Sequence, residues 1–350
     1  MSTNEPADPY ISKVESVERD FRSLQDDIAL SSVNDALADL DSRLKDLPGS
    51  IQQVRSRGYV FQSYLEKKSE VLAQQWSDAR WRVTAAVDEQ SRLLRYPADQ
   101  LQQRLPPLRS NRDEGEVSAV AAAVADLESR VRAAQSSIGS MYGPLNDNVN
   151  QTVNQVKQVV RVLDQVDGAV FKLYPGEGVV AAVKAQWMTS EKEGPKGILF
   201  LTEDRLLFEQ REEVATKKVL FVTTAKQKVQ ELKWEVAVGQ VERVGASETG
   251  GAFLGIGKKE MLELTFDNAS KIRSAQVHLE ADSEAWQALV GRVKSGDIAG
   301  ERTAPKDQAT VQAARSAPTK CPTCGATITQ AIVRGMAVLK CEYCGAAIRL

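Results

Sequence analysis

The feature that most constrains this chain is a cluster of cysteines near its C-terminal end. All four cysteines of the protein lie there, as Cys321, Cys324, Cys341 and Cys344. They form two C-x2-C pairs separated by sixteen residues, a spacing typical of a site with four thiolate ligands. Each pair can present two sulfur atoms to one ion, and tetrahedral zinc takes two such pairs at Zn–S distances of about 2.3 Å. The spacing therefore predicts one bound Zn2+.

The ligand set predicts a structural zinc rather than a catalytic one. A catalytic zinc normally has three protein ligands and an open position, whereas four thiolates close the site. The only histidine, His278, lies far upstream. Two disulfides are the alternative, but they need an oxidising compartment, and the first residues, MSTNEPADPY, lack the apolar core of a signal peptide. A redox role is weaker still, because no βαβ pattern surrounds either pair. We therefore expect a cytoplasmic protein with reduced thiols.

The residues around the cysteines predict the local backbone. Gly325 and Gly345 each follow the second cysteine of a pair, where glycine can take a positive φ without steric cost. Pro322 fixes φ in the first pair. The short apolar runs ATITQAIV and MAVLK, joined by Arg334-Gly335, predict a small hairpin. With CPTCG and CEYCG near its two ends, the segment 320–350 resembles a zinc ribbon.

Residues 1–170 are predicted to form a long helical region. Apolar side chains recur there at steps of three and four, which places them on one stripe of a helix. Stripes this narrow are typical of coiled-coil packing. They comprise Val33, Leu37, Leu40, Leu44 and Leu47; Val117, Val120, Val124, Leu127, Val131, Ala134, Ile138 and Met141; and Val149, Val153, Val156, Val160 and Leu163. We therefore predict an elongated antiparallel bundle of three or four helices.

Proline residues predict where these helices end. Pro48-Gly49 is expected to end the first helix, and Pro97 and Pro106-Pro107 are expected to interrupt the next one. Residues 109–116 are predicted to form a loop, and Gly143-Pro144 a kink. These breaks would divide the region into several shorter helices.

The aromatic and amide side chains of this region are assigned to packing. Tyr64, Trp76 and Trp81 are expected in the bundle core rather than on a binding surface. Asn148 and Asn154 are expected to set the register of the seam. Nothing in this half of the sequence indicates catalysis. Its expected role is protein interaction, spacing or homo-oligomerisation through residues 1–170.

After Asp167-Gly168 the pattern changes to short alternating runs, which predict β-strands. The runs are 178–187, 197–202, 205–210, 218–222, 229–238, 261–266 and 275–280. An amphipathic helix follows, with Ser283 as its expected cap and with Trp286, Leu289 and Val293 on one face. Six or seven strands followed by one helix predict a small barrel in residues 171–297.

The stretch GILFLTEDRLLFEQ (197–210) resembles the paired second and third strands of GRAM and other pleckstrin-homology-like domains. The later segment 241–244 and the closing helix fit the same plan. The resemblance implies a domain that binds lipid or protein. It also implies that the core contains Leu199, Leu201, Leu206, Phe208, Val241, Leu262, Leu264 and Trp286.

A glycine-rich loop at 250–260 is a candidate for membrane contact. Its apolar side chains would insert into a bilayer and its lysines would meet anionic headgroups. The residues concerned are Phe253, Leu254, Ile256, Lys258 and Lys259. The alternative is a hairpin whose apolar side chains pack on the protein itself. Nucleotide binding is excluded, because a P-loop needs G-x-x-x-x-G-K-[ST] before a helix, and here a strand follows.

Lysines on the predicted strands are a second candidate. They are Lys217, Lys218, Lys226 and Lys228. Phosphoinositide-binding relatives use a basic pocket between their first strands, and the lysines of that region in this chain are Lys184, Lys192 and Lys196. Glu191 and Glu193 are interspersed with them, which favours solvated lysines over a dedicated phosphate pocket.

Residues 298–319 are rich in Ala, Thr, Pro and Gln and have almost no large apolar side chain. This composition predicts a flexible linker that tethers the cysteine segment. The expected fold class is therefore multidomain α+β: a helical region (1–170), a β domain (171–297), a linker and a zinc ribbon (320–350). No apolar run approaches the roughly 20 residues that a membrane-spanning helix needs.

These observations lead to three functional hypotheses. The first is a non-enzymatic zinc-binding adaptor or scaffold, in which the helical region and the tethered ribbon contact protein partners. The second is a peripheral membrane protein that binds lipid through its β domain. The third is nucleic-acid binding through the ribbon. The net charge of −2 does not support it, and only the excess of 7 basic over 3 acidic residues in 301–350 does.

Overall fold

The structure is a computed structural model that describes residues 8–190, 193–219, 222–249, 259–306, 321–326, 338–341 and 343–349. It divides into two compact units. The first comprises Met1–Ile51 and Leu65–Gln155, and the second comprises Gln52–Tyr64 and Val156–Leu350. Among the described helices, none is both long and apolar enough to cross a membrane.

The first unit consists of helices. They are α1 (Pro9–Ser23), α2 (Gln25–Ile28), α3 (Ser31–Ser56), α4 (Leu65–Asn111) and α5 (Glu114–Asp167), of which α3 and α5 continue into the second unit. Asp8 caps α1 by accepting a hydrogen bond from the backbone N–H of Tyr10. Asp113 caps α5 by accepting from the N–H groups of Gly115 and Glu116. Each cap satisfies N–H groups that have no partner inside the helix.

Contacts between side chains give the helix directions within this unit. Lys13 contacts Glu114 at 2.7 Å, and Gln135 donates to Asp27 at 3.1 Å. The first three helices therefore run parallel to α5. Helix α4 runs antiparallel to them: near its C-terminal end the Tyr10 hydroxyl of α1 donates to the Leu108 carbonyl at 2.6 Å, whereas near its N-terminal end Trp76 donates to the Asp41 carboxylate of α3.

The predicted helix end at Pro48 and the predicted interruptions at Pro97 and Pro106-Pro107 are wrong. Pro48 lies inside α3, and the other three prolines lie inside α4. Pro144 lies inside α5, so the helix continues there, and the kink expected at this position stays a prediction. Only Arg112 and Asp113 separate α4 from α5, so most of the predicted loop at 109–116 is helical. A proline inside a helix costs about 3 kcal/mol. Along these helices the buried stripe outweighs that cost: Leu105 and Leu108, on either side of the proline pair, are both buried.

The core assignment of this unit needs four corrections. Trp76 is buried as expected, but Trp81 is 69% exposed and lies on the solvent side of α4. Tyr64 is 43% exposed and precedes α4, so it is not a core residue of the bundle either. Asn148 and Asn154 are both exposed, so they do not set the register. Instead, Arg43 of α3 donates to Asn146 of α5 at 2.7 Å. On the predicted stripe of α5, Met141 is exposed, Val153 and Val160 are half-buried, and Thr152 and Val159 take the buried positions.

The second unit contains a seven-stranded antiparallel sheet in the order β4-β3-β2-β1-β7-β6-β5. The strands are β1 (Val179–Met188), β2 (Lys196–Thr202), β3 (Arg205–Val219), β4 (Val222–Ala237), β5 (Val241–Thr249), β6 (Lys259–Phe266) and β7 (Ser274–Leu279). The predicted strand 218–222 is wrong, because β3 ends and β4 begins within it. β5 was not among the predicted strands, because Glu242, Arg243 and Gly245 interrupt its apolar pattern.

Strand β2 is buried on both of its faces. Residues 197–202 are all buried, so the strand is a continuous apolar run without alternation. On one side Leu199 and Leu201 point into the main core, and all eight core residues implied by the resemblance are buried. On the other side Phe200 packs in a second cluster with Phe171, whose ring lies 4.9 Å from the Phe200 ring. The residues that follow α5 therefore cover the outer face of the sheet.

Helix α6 (Ser283–Ser295) follows the last strand of the sheet. Its cap is Asp282, whose side chain accepts from the Ala285 N–H at 2.8 Å, so the expected Ser283 cap is wrong by one residue. Trp286 and Val293 are buried, whereas Leu289 is half-buried and Val290 takes its expected core position. The helix is amphipathic, as the sequence predicts.

The first residues of the predicted linker are packed rather than free. Ile298 is 4% exposed. The Thr303 N–H donates to the Val60 carbonyl at 2.8 Å, and Arg302 pairs with Glu203 at 2.6 Å. These contacts are polar, and a segment composition with few apolar residues gives no indication of them. The remainder of the predicted linker, from residue 307 to 319, lies outside the described residues.

Candidate metal centre

The four cysteine sulfur atoms lie together in the second unit. Their Sγ atoms all fall within 4.8 Å of one another. The Cys321 and Cys344 sulfurs are 3.6 Å apart, and those of Cys324 and Cys341 are 3.7 Å apart. Sulfurs placed tetrahedrally at 2.3 Å from zinc would be about 3.8 Å apart, whereas a disulfide needs about 2.05 Å. The donor set and its spacing therefore fit one zinc ion, and all four thiols are free.

The two cysteine pairs have the same backbone turn. The Gly325 N–H donates to the Cys321 carbonyl, and the Gly345 N–H donates to the Cys341 carbonyl, both at 2.8 Å. Both glycines have positive φ, at +73° and +72°. A side chain at either position would strain this conformation, which explains the glycines that the sequence places there.

The second pair lies between two short strands, β8 (Val338–Lys340) and β9 (Ala347–Arg349), which pair antiparallel. Leu339 and Ile348 face each other across this pairing and pack with Cys321 and Cys341 as a small buried cluster. The predicted hairpin at Arg334-Gly335 lies outside the described residues. Apolar side chains and cysteine sulfurs therefore share one small core.

Electrostatics at the site favour a bound cation. The pKa of Cys321 is lowered to about 6, first because the Cys324 backbone N–H donates to its sulfur, with a further contribution from the Thr323 N–H. At Cys344 the largest single influence is the Ala346 N–H, which favours the thiolate, but the neighbouring Cys324 thiol, burial and the other two sulfurs together outweigh it and raise the pKa to about 12. Four sulfurs this close cannot all be thiolates without a compensating positive charge, which a divalent cation supplies.

Of the other predicted site residues, those whose side chains the structure describes are exposed on strands of the sheet. Phe253, Leu254, Ile256 and Lys258 lie outside the described residues, and Lys259 is exposed at the start of β6. Lys184, Lys196 and Lys228 are exposed on strands β1, β2 and β4, whereas Lys192 lies outside the described residues. Nothing is described for the side chains of Lys217, Lys218 and Lys226.

Sequence reasoning missed a buried charged cluster in the β domain (171–297), also called the sheet domain below. Arg205 donates through Nε and Nη2 to the two carboxylate oxygens of Glu177, each at 2.9 Å, and through Nη1 to Glu235 at 2.7 Å. The Tyr174 ring lies 3.8 Å from the guanidinium carbon. An open cleft of about 650 Å³ adjoins this cluster. Because the Arg205 donors already have protein partners, the cluster stabilises the fold. No spacing in the sequence indicates a contact between residues 28 positions apart.

Comparisons with known proteins leave the family open. No family model matches the sequence, and no curated protein matches it. Among solved structures, the DH/PH domains of PDZ-RhoGEF in complex with GTP-γ-S-activated RhoA are 9% identical, with 78% of this chain and 95% of that chain covered and a TM-score of 0.30. The DH/PH domains of p115-RhoGEF are 13% identical, covering 82% and 91%, with a TM-score of 0.25.

A third structure is the C-terminal domain of a protein from Leishmania infantum. It is 13% identical, covers 34% of this chain and 86% of that one, and has a TM-score of 0.22. Overlays this weak define neither the fold nor the function of this chain.

Proposed function

We propose that this chain is a non-enzymatic zinc-binding adaptor or scaffold protein. In this proposal Cys321, Cys324, Cys341 and Cys344 hold one structural Zn2+, and the helical region and residues 320–350, called the C-terminal module from here on, contact protein partners. The observation that carries the proposal is the placement of four free sulfurs within 4.8 Å, at pair distances close to those of tetrahedral zinc.

The zinc is proposed to be structural because thiolates would fill its coordination sphere. Four protein ligands leave no open position for water or substrate. The described core of the module contains Leu339 and Ile348 besides two cysteines. A core this small does not hold a separate module together without a metal or a disulfide. Metal binding would therefore supply the folding energy of the module.

The interaction role is supported by the rest of the chain. Long helices with one buried stripe leave extended exposed faces, which suit protein contacts more than small-molecule chemistry. The C-terminal module follows a segment that is held at Arg302 and Lys306 by Glu203 and Asp204. Its attachment point is thus fixed on the β domain. The module is joined to this fixed point by residues 307–319, which keep it within reach of partners that bind near that domain.

A direct experiment measures the metal and the partners together. Full-length protein purified without added zinc should contain one zinc per chain by elemental analysis, and Cys341→Ser should contain much less. Affinity capture should then compare the full-length protein with a chain that ends at Lys306. This end point keeps the pairs of Arg302 and Lys306 with the β domain, so loss of a partner reports on the module alone. Full zinc content in Cys341→Ser would overturn the proposal.

A second candidate function is lipid binding by the β domain. It is supported by the strand order and by the helix after β7, which are what a pleckstrin-homology-like architecture requires. The test is co-sedimentation with vesicles containing anionic lipids, using Phe253→Ser/Leu254→Ser as the variant. Binding that this variant abolishes, with unchanged thermal stability, would establish the membrane role. Loss of stability without any lipid binding by the natural sequence would favour a loop packed on the protein.

A further inference from the structure

The solvent side of α4 carries an unusual concentration of large apolar side chains. Val71, Trp81, Leu93 and Tyr96 are all exposed, with Trp81 at 69% and Tyr96 at 72%. Isolated exposed apolar residues are normal on a protein surface. Here four of them lie on one side of one helix within 26 residues. This face needs an explanation other than the bundle core, which uses the opposite side of α4.

Three of these residues, Val71, Trp81 and Tyr96, belong to a regular second seam, whereas Leu93 lies outside it. We define the outer seam as Val71, Gln74, Asp78, Trp81, Ala85, Glu89, Arg92, Tyr96 and Asp99, all of which are exposed. Their steps are three and four residues, so they lie on one stripe of the helix. The steps read 3, 4, 3, 4 from Val71 to Ala85 and 4, 3, 4, 3 from Ala85 to Asp99. The seam is therefore symmetric about Ala85.

Four of the charges along this face have the same symmetry with opposite sign. Asp78 and Arg92 are each seven residues from Ala85, and Arg82 and Asp88 are each three residues from it. If a second α4 packs antiparallel with a two-fold axis at Ala85, Asp78 faces Arg92 and Asp88 faces Arg82 of the other copy, whereas Glu89 and Asp99 face Trp81 and Val71. A parallel pairing would instead place every charge opposite its own copy. Opposite charges facing each other favour the antiparallel arrangement.

These four charges are available for such contacts. Within the part of the chain that the structure describes, none of them forms an ion pair, although Asp78–Arg82 and Asp88–Arg92 have the spacing for one. Asp78 accepts a hydrogen bond from Gln74, and the Arg92 Nε donates to the Asp88 carbonyl. The charges thus remain free to meet a partner surface.

We propose that the outer seam of α4 binds a second copy of this chain in an antiparallel, two-fold arrangement centred on Ala85. The small Ala85 side chains meet at the axis and allow the helices to approach closely. Asp78 and Arg82 of each copy face Arg92 and Asp88 of the other, and Tyr96 packs beside Val71 of the other copy. The inference rests on the interaction role proposed for the helical region, but it does not depend on zinc.

A charge-swap series on the full-length, zinc-loaded protein tests the proposal by sedimentation equilibrium. Asp78→Arg and Arg92→Asp should each raise the dimer Kd by more than about tenfold, because like charges then face each other at two symmetric places. The double variant Asp78→Arg/Arg92→Asp should return the Kd to near that of the natural sequence. Arg161→Asp, a reversal at an exposed position of α5, is the matched control and should leave the Kd unchanged.

Cross-linking locates the axis independently. Ala85→Cys should give a covalent dimer on mild oxidation, because the two Cβ atoms meet there within disulfide reach. Thr84→Cys is the control, since residue 84 is exposed but lies about 100° around the helix from the seam. One zinc per chain in every variant separates this result from a failure of the metal site. A monomer at every concentration, or a dimer that neither single reversal weakens, would overturn the proposal.

Discussion

The sheet domain and the cysteine module show two ways of stabilising structure within one chain. In the sheet, Leu199, Phe200 and Phe208 are completely buried and the core extends over both faces of β2. In the module, the described core has only Leu339 and Ile348 besides two cysteine side chains. Burial of apolar area can support the first, whereas we propose that the second depends on the binding energy of a metal. The two regions should therefore unfold in response to different perturbations.

The largest expected effect is on the module. Cys341→Ser removes one of four ligands, and metal-binding free energies of such sites are on the order of 10 kcal/mol. We expect β8 and β9 to lose their structure, which NMR signals of Leu339 and Ile348 would report. The sheet domain should keep its thermal transition, because its core contains none of the cysteines.

The control for this prediction is Thr323→Ala, which changes an exposed side chain between Cys321 and Cys324 and leaves all four sulfurs in place. It should keep one zinc per chain. If the sheet domain unfolds together with the module in Cys341→Ser, the two regions are not stabilised separately and the comparison fails.

The reciprocal experiment perturbs the sheet. Phe200→Ala removes a completely buried ring that packs on Phe171, so it should lower the free energy of unfolding by about 3–5 kcal/mol. Phe200→Leu keeps most of the apolar volume and should cost clearly less. Urea titrations followed by tryptophan fluorescence measure both. The zinc content should not change in either variant, and zinc loss in Phe200→Ala would show that the module depends on the sheet.

A third prediction concerns the buried charges of the sheet domain. Glu177→Gln keeps the shape of the side chain but leaves the Arg205 charge without its main partner, in a place where both side chains are nearly inaccessible. Breaking a buried pair in this way costs about 3–5 kcal/mol. Replacing both residues, as Glu177→Leu/Arg205→Leu, should cost less than the single change. A single variant as stable as the natural protein would mean that Glu235 alone compensates the Arg205 charge.

The cysteine cluster was predictable from the sequence because its signal is local. Two residues between cysteines and a glycine after each pair specify the ligands and the turns without reference to any distant contact. The core of the sheet was predictable for a similar reason, since the run at 197–202 is apolar throughout. Both predictions rest on short stretches in which residue type limits the backbone.

The missed features all depend on distant contacts. Proline was expected to end helices, but the helices continue because partner helices bury their stripes along the whole length. Trp81 was placed in the core because aromatic residues are usually buried, and nothing local shows which face of a long helix is covered. The pair of Arg205 with Glu177 and the packing of Ile298 likewise appear only once the sheet has formed.

The smallest expected effect is a difference in pH response between the two regions. His278, the only histidine, is half-buried on β7 opposite Gln186 and Met261, and burial lowers its pKa, with Lys259 adding to the shift. Because the folded pKa lies below the unfolded value of about 6.5, the unfolded chain binds the proton first as the pH falls. Stability that His278 contributes above pH 6.5 is therefore lost as the pH falls through the folded pKa.

In His278→Gln the unfolding free energy of the sheet domain should depend less on pH between 7.5 and 5.5, measured by urea titration. Zinc release on acidification should be unchanged, since it follows protonation of the thiolates. An unaltered pH slope in the variant would exclude His278 as the titrating group, and an altered zinc-release curve would show that the two regions are coupled.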